Sequence, residues 1–239
     1  MSEIAVPGAA FFDMDGTLLD WQIGMEESWR ASCDEHCDGS YEPAALHAAI
    51  VERRTWFWSD RERQYAGRMD LDEASRTIVR HALADMGVRN DALAPLIGGS
   101  YRARRLELMT TYDGAMETLD WLRSRGVPLA LITNGGAKSQ RHSVERFGFA
   151  AYFECIIIEG EFGTGKPDER VFRHALDATG ADPAMTWMIG DNFEADIVTP
   201  HRLGMHTVWI DETGAGLPAD APCAPHRTIR HIRELLAGT

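Results

Sequence analysis

Apolar and polar residues follow two different patterns along this chain. Before residue 20 and after residue 110, short apolar runs are separated by longer stretches in which apolar residues recur at helical spacing. The apolar runs predict strands at residues 9–12, 129–132, 156–158, 187–189 and 207–210. Strands that alternate with helices in this way predict an α/β fold with a parallel sheet.

Helical segments separate most of the predicted strands. They are expected at residues 115–125, 138–147, 169–179 and 194–203, with a last helix at 229–236. The strands of a parallel sheet all end at the same edge, and open α/β sheets bind their ligands there. Functional residues are therefore expected directly after the strands.

The stretch between residues 20 and 109 has a different character. Amphipathic segments predict four helical units, at 25–35, 43–58, 71–86 and 90–108, and no convincing strand. We therefore expect two domains, an α/β core made of residues 1–19 and 110–239 and a helical domain made of residues 20–109.

Composition narrows the class of protein without naming a reaction. The 239 residues are 44% hydrophobic and carry a net charge of −13, which argues against a nucleic-acid polymer or an anionic membrane as partner. No stretch is long and apolar enough to span a membrane, and Met1 to Glu3 do not begin a secretory leader, so a cytoplasmic location is expected. The four cysteines are too few and too uneven for a disulfide framework.

Two carboxylates stand where the first strand gives way to a glycine turn. Asp13 and Asp15 are two positions apart, so their side chains can project toward the same reacting atom. A pair placed in this way suggests covalent catalysis, in which one carboxylate attacks and the other manages protons. Phosphoryl transfer through an aspartyl-phosphate needs such a pair.

Two later segments are suited to binding a phosphate. The run Thr133-Asn134-Gly135 ends a strand and opens a helical stretch, where free backbone N–H groups and a hydroxyl favour an anion. Lys166 precedes a proline, which keeps its backbone extended, and its ammonium group would neutralise charge. The sequence thus predicts Thr133, Asn134, Gly135 and Lys166 as phosphate-binding residues.

A third segment supplies more acids. Asp191 and Asp196 follow a short apolar strand at the start of a predicted helix. Mg²⁺ takes oxygen ligands from one or two carboxylates and keeps several waters, so this cluster suits that ion. We therefore expect Mg²⁺ as cofactor.

In this order the motifs DxDGT, a strand ending in Thr, Lys-Pro and GDxxxxD resemble the haloacid dehalogenase (HAD) superfamily, phosphatase branch. The resemblance implies a Rossmann-like core and a helical C1 cap. It also implies roles for the following residues: Asp13 as nucleophile, Asp15 as general acid and base, Thr133 and Lys166 as phosphoryl ligands, Asp13, Asp191 and the Asp15 backbone carbonyl as Mg²⁺ ligands, and Asp196 on a metal-bound water.

The expected activity is hydrolysis of a small phosphorylated metabolite, such as a nucleoside monophosphate or a sugar or acid phosphate. Two alternatives stay open: a phosphomutase of the same family, and a regulatory binding protein without turnover. Trp21, just beyond the catalytic turn, is the aromatic residue expected to contact the substrate, whereas Trp56, Phe57 and Trp58 are expected to pack within the helical domain. A monomer or a homodimer is expected.

Overall fold

A six-stranded sheet forms the centre of the α/β part of the protein, whose computed structural model describes residues 6–236. Every neighbouring pair of strands in this sheet is parallel. The spatial order is β5-β4-β1-β6-β7-β8. The strands are β1 (Ala9–Phe12), β4 (Leu129–Thr133), β5 (Cys155–Ile158), β6 (Thr186–Gly190), β7 (His206–Ile210) and β8 (Arg227–Ile229).

The first strand lies in the middle of this sheet. All four residues of β1 are buried, as expected for a parallel strand that is covered on both faces. Phe12 is in register with Leu131 of β4 on one side and with Ile189 of β6 on the other. The residues that follow these three strands are therefore held side by side.

Helices cover the sheet and connect its strands. On one face, Val171 and Phe172 pack against Phe11, Ile132 and Met188 in a continuous apolar cluster. The helices of this part are α6 (Ala115–Arg123), α7 (Ala137–Arg146), α8 (Glu159–Phe162), α9 (Glu169–Thr179) and α10 (Thr199–Arg202), with 3₁₀ turns at Phe149–Ala151 and Pro183–Met185.

The helix expected at 194–203 is interrupted. Residues Phe193–Val198 form a π-helical segment, and only Thr199–Arg202 is α-helical. Pro200 has no N–H for a bond to the preceding turn, and its ring crowds the carbonyl four residues earlier. A wider turn before the proline is a common way to accommodate such a break.

The prediction of a helix at residues 229–236 is wrong. Residues Arg227–Ile229 instead form β8, which pairs with β7, and Ile232–Leu235 form a single 3₁₀ turn. The apolar residues in this segment have helical spacing, but the unpaired edge of β7 provides backbone partners that a helix would leave unused. Tertiary pairing therefore overrides the local pattern.

The second compact unit consists of residues Trp21–Met109, and the first consists of the chain on either side of it. Its helices are α1 (Met25–Glu35), α2 (Pro43–Trp58), α3 (Arg61–Met69), α4 (Leu71–Asp85) and α5 (Leu93–Leu108). The sequence predicts four helices here and misses α3, because that helix buries only Gly67 and has no apolar stripe. Within the unit, Trp29 stacks on Tyr101 with 3.6 Å between ring centroids.

The chain leaves and re-enters the α/β unit through two short paired strands. They are β2 (Leu19–Asp20) and β3 (Thr110–Thr111), which are antiparallel. Among the helices of residues 6–236, none combines the length and the apolar character needed to cross a membrane. The N-terminal residues Met1 to Glu3, considered above for localisation, lie outside the described residues.

Candidate active site

The predicted site residues lie at the point where the sheet changes direction of winding. From β1 the chain order runs outward to β4 and β5 on one side and to β6, β7 and β8 on the other. Such a switch point leaves a crevice outside the carboxyl ends of the strands. Asp13 directly follows β1, and its N–H donates to the carbonyl of Ile189 at 2.9 Å, which extends the strand up to the crevice.

A buried lysine joins two of the predicted acids. Lys166 Nζ lies 2.7 Å from Asp13 Oδ1 and 2.7 Å from Asp196 Oδ1. All three residues are at most 7% exposed, so their charges are screened little by water. Folding thus places the cation expected to bind phosphate directly beside the expected nucleophile.

Negative charge still exceeds positive charge in this cluster. Burial, together with the carboxylates of Asp13 and Asp196, raises the pKa of Asp191 to about 8. Burial raises the pKa of Asp196 to about 6, although Lys166 opposes the shift. For Lys166, burial alone would lower the pKa, but the charges of Asp13 and Asp196 outweigh it and raise the pKa above its ordinary value. A further cation would relieve this crowding.

The donor set fits a hard divalent cation. Asp13, Asp191 and Asp196 each offer one carboxylate oxygen, and these oxygens lie within 4.8 Å of one another. Asp13 Oδ2 is buried and has no hydrogen-bond partner among residues 6–236, a costly state unless a cation or a ligand compensates it. Oxygen ligands of this kind are those that Mg²⁺ prefers. The residues present therefore fit the expected metal.

The two later acids are not equivalent. Asp196 Oδ1 lies at ion-pair distance from Lys166, without hydrogen-bond geometry among residues 6–236, and Oδ2 accepts the N–H of Asn192 at 3.0 Å. Asp191 is only partly buried, whereas Asp13 and Asp196 are buried. A direct metal contact for Asp191 and an outer position for Asp196 stay predictions.

The glycine of the catalytic turn passes close to Asp191. Gly16 has a φ of +89°, which L side chains rarely adopt, and a Cβ at this position would overlap the Asp191 carboxylate. The turn after Asp13 can therefore approach the acid cluster only with glycine in this place.

The loop after β4 brings the other predicted residues to the site. Thr133 is buried at the end of the strand. The side chain of Asn134 binds the main chain of Lys166 on both sides, with Nδ2 donating to the carbonyl at 2.7 Å and Oδ1 accepting the N–H at 2.8 Å. The N–H of Gly135 donates to the carboxylate of Glu159 at 3.0 Å. Asn134 and Gly135 thus already have protein partners.

Two further residues of the site escaped sequence analysis. Glu159, directly after β5, is 5% exposed and holds the Gly135 loop. Gln140, in the first turns of α7, donates from Nε2 to Asp15 Oδ2 at 2.8 Å. The position of Glu159 at a strand end was a usable signal, whereas nothing in the local sequence distinguishes Gln140.

The aromatic residues belong to the helical unit. Trp21 is 38% exposed. Phe57 is buried, and Trp56 packs against it and against His81, with ring centroids 6.3 and 4.8 Å apart. Trp56 and Phe57 thus pack within their own unit, whereas contact between Trp21 and a substrate stays a prediction.

Comparisons with known proteins identify the family of this chain. The haloacid dehalogenase-like hydrolase family profile matches residues 7–204, and the chain belongs to this family. It is 36% identical to a phosphoserine phosphatase from Thermus thermophilus over 159 residues, which are 66% of this chain and 62% of that protein. It is 28% identical to an N-acylneuraminate-9-phosphatase from Rattus norvegicus over 249 residues, covering 96% of this chain and 92% of that one.

A solved structure shares the fold. The HAD-hydrolase YfnB from Bacillus subtilis, bound to magnesium, has a TM-score of 0.72 and 24% identity, and the match covers 96% of each chain. The family and the α/β fold predicted from the motifs are confirmed. The chain is a hydrolase of this family, and its relatives by sequence are named as phosphatases.

Proposed function

We propose that this protein is a Mg²⁺-dependent phosphomonoester hydrolase that acts on a small phosphorylated metabolite through an aspartyl-phosphate. The observation that carries the proposal is the pair of 2.7 Å contacts from Lys166 to Asp13 and Asp196. This arrangement holds one carboxylate oxygen of Asp13 in place and leaves Oδ2 unpartnered within the described chain. An oxygen in that state is suited to attack phosphorus or to bind a cation.

The reaction has two balanced steps. An Asp13 oxygen bonds to phosphorus, the bond to the leaving oxygen breaks, and that oxygen takes the proton of Asp15. The Asp15 carboxylate then removes a proton from water, whose oxygen bonds to phosphorus while the bond to Asp13 breaks. The products are an alcohol and phosphate, and both aspartates regain their initial states.

Positive charge is essential because a carboxylate must approach an anionic phosphate. Two like unit charges 4 Å apart repel by about 4 kcal/mol at an effective dielectric of 20. Lys166 supplies one compensating charge, and Thr133, at the end of β4, has a hydroxyl that can donate to a phosphoryl oxygen. Asp13, Asp191 and the Asp15 carbonyl would hold Mg²⁺, which when bound offsets the remaining charge.

The substrate class is proposed from the same features. Relatives named as phosphatases support a phosphorylated substrate, and the net charge of −13 argues against a polyanionic one, so we propose a small metabolite, either a sugar or acid phosphate or a nucleoside monophosphate. We also propose that the helical unit is the cap of the enzyme and that Trp21 contacts the leaving group. Trp21→Ala should raise KM for the preferred substrate, whereas Tyr65→Ala, at an aromatic residue 52% exposed in the same unit, should not.

The direct test is release of phosphate from p-nitrophenyl phosphate and from a panel of phosphorylated metabolites, with Mg²⁺ and with a chelator. Wild-type enzyme should turn over only with Mg²⁺, and Asp13→Asn should have no measurable activity. Full activity of Asp13→Asn would overturn the role of Asp13. Product analysis with a sugar phosphate and a bisphosphate primer would reveal a phosphomutase, and gel filtration would distinguish a monomer from a homodimer.

A further inference from the structure

Gln140 makes three polar contacts in the loops around Asp15. It is 6% exposed, and its Nε2 lies 2.8 Å from Asp15 Oδ2, 2.7 Å from the Asn134 carbonyl and 3.1 Å from Thr133 Oγ1. One amide group thus reaches the proton-transfer carboxylate and the phosphate-binding hydroxyl together.

The chemistry of these partners determines which end of the amide faces them. The backbone carbonyl of Asn134 can only accept hydrogen bonds, so the NH₂ group and not the amide oxygen must point at it and at Asp15 Oδ2 beside it. The bond to Asn134 anchors the amide to the main chain. The bond to Asp15 then orients that carboxylate relative to a rigid part of the loop.

The contact with Thr133 has a second consequence. Two N–H groups serve three acceptors, and the hydroxyl receives the longest of the three bonds, at 3.1 Å. Since Nε2 can only donate, the hydroxyl uses a lone pair in this contact and keeps its own proton. Thr133 is thereby prepared to donate to a phosphoryl oxygen.

The loop leaves room for this side chain. Gly135 has a φ of +138°, and a Cβ there would lie 2.8 Å from Gln140 Nε2. A larger residue at position 135 would displace the amide from Asp15. Glycine at position 135 therefore allows the backbone turn after β4 and also leaves space for the Gln140 amide.

We infer that Gln140 is a positioning residue that aligns the Asp15 carboxyl group with the leaving oxygen. The inference rests on the proposed function, because it assigns Gln140 to the proton transfer of that reaction. Gln140 acts through Asp15 and touches no reacting atom itself. Its loss should therefore matter most when the leaving oxygen needs a proton.

The test is the dependence of rate on the leaving group. Gln140→Met keeps the length of the side chain but removes both donors. Its kcat should fall about 100-fold on an alkyl phosphate, whose alkoxide needs protonation, and less than about 10-fold on p-nitrophenyl phosphate, whose leaving group does not, because general acid catalysis contributes about 10²- to 10⁴-fold. Ser139→Ala, in the same helix, removes a hydroxyl bonded to the Gly136 carbonyl and should leave both rates unchanged.

A double mutant separates positioning from a general loss of structure. In an Asp15→Asn background, Gln140→Met should lower the residual kcat no further, because the group that it positions is already gone. Gln140→Leu provides a second variant if the methionine form unfolds, and thermal unfolding confirms that each variant is folded.

The outcomes distinguish this inference from the proposed function. Equal losses on both substrates, or additive losses in the double mutant, would overturn the role of Gln140 while leaving the hydrolase intact. A wild-type enzyme that hydrolyses no phosphate ester with Mg²⁺ would overturn the proposed function and, with it, the acid that Gln140 is inferred to position.

Discussion

The side-chain amide of Asn134 forms two hydrogen bonds to the main chain of Lys166, one to its carbonyl at 2.7 Å and one from its N–H at 2.8 Å. The two residues are 32 positions apart and follow different strands. Asn134 therefore determines where the backbone of the lysine lies, and so the distance at which its ammonium group meets Asp13.

Replacing Asn134 by alanine should lower both stability and activity. A main-chain N–H and carbonyl would lose their partners in a partly buried place, which costs about 1–3 kcal/mol for each group left unsatisfied. Urea denaturation and kcat on p-nitrophenyl phosphate measure the two effects. Asn90→Ala, which removes an exposed amide bonded to Asp38, is the matched control and should change stability by less than about 0.5 kcal/mol. Wild-type stability and kcat in Asn134→Ala would show that the two hydrogen bonds from Asn134 to the Lys166 main chain are unimportant.

Lys166→Met should be the most damaging single change in the core. It leaves Asp13 and Asp196 buried without their shared cation, and breaking a buried ion pair in this way costs about 3–5 kcal/mol. The chain has only one other lysine, Lys138, which is exposed on α7, so Lys138→Met is a natural control. Chemical denaturation without Mg²⁺ should show a large loss for the first variant and a small one for the second. Equal stability of the two variants would contradict the ion-pair argument.

Asp191→Asn should remove the stabilisation that Mg²⁺ confers. A ligand at 100 times its dissociation constant stabilises the folded state by about 2.7 kcal/mol, so thermal unfolding of the wild-type protein should shift upward when Mg²⁺ is added. The variant should show no shift and no turnover. Glu194→Gln, at an exposed acid three residues further along, should keep the shift. A Mg²⁺ response retained by Asp191→Asn would place the ion elsewhere.

A histidine cluster at the edge of the sheet should contribute less to stability in mild acid than at neutral pH. His226 Nδ1 accepts the N–H of Thr207 at 3.1 Å, and the ring lies 5.1 Å from that of His201 and 4.6 Å from that of His206, between centroids. Burial and then the neighbouring His201 lower the pKa of His226, and burial and then His226 lower the pKa of His206.

The sign of the pH effect follows from these shifts. A histidine whose pKa is lower in the folded state binds more protons when unfolded, so its contribution to stability is complete above about pH 6.5 and is lost as the pH falls below that value. The cluster should therefore lower the unfolding midpoint between about pH 7 and pH 5, in opposition to Asp191 and Asp196, whose raised pKa values favour the folded state as the pH falls. His226→Asn should remove the histidine contribution, so its midpoint relative to wild type should rise as the pH falls over this range. His142→Asn, at an exposed histidine of α7, should leave the pH dependence as it is. If the unfolding midpoints of wild type and His226→Asn depend on pH in the same way, the histidine cluster does not contribute to the pH dependence of stability.

Much of the fold was predictable because its signals are local. The five strands predicted from apolar runs are all present, with ends that differ by at most one residue. Helix α9 occupies the predicted range of 169–179, because its apolar residues form one clear stripe that packs on the sheet. The predictions failed for β8, which needs a partner strand, and for α3, which has almost no buried face.

The site likewise contains residues that local sequence patterns predict and residues that they do not. Asp13 and Asp15 could be recognised from their spacing and from the glycine turn that follows them. Gln140 could not, because its bond to Asp15 joins residues 125 positions apart, and Glu159 reaches Gly135 across 24 positions. Such pairings depend on where a neighbouring strand or helix is packed, which local residue patterns do not encode.

The amino-acid sequence by itself determined which side chains are available at the strand ends, since strand periodicity and turn residues act over a few positions. Only the tertiary structure decided which of them meet. Lys166 reaches Asp13 from 153 positions away because β1 lies in the centre of a parallel sheet, where connections from distant parts of the chain end at one edge. Because these acids and the lysine are buried at that edge, their charges interact strongly and shift one another's pKa values.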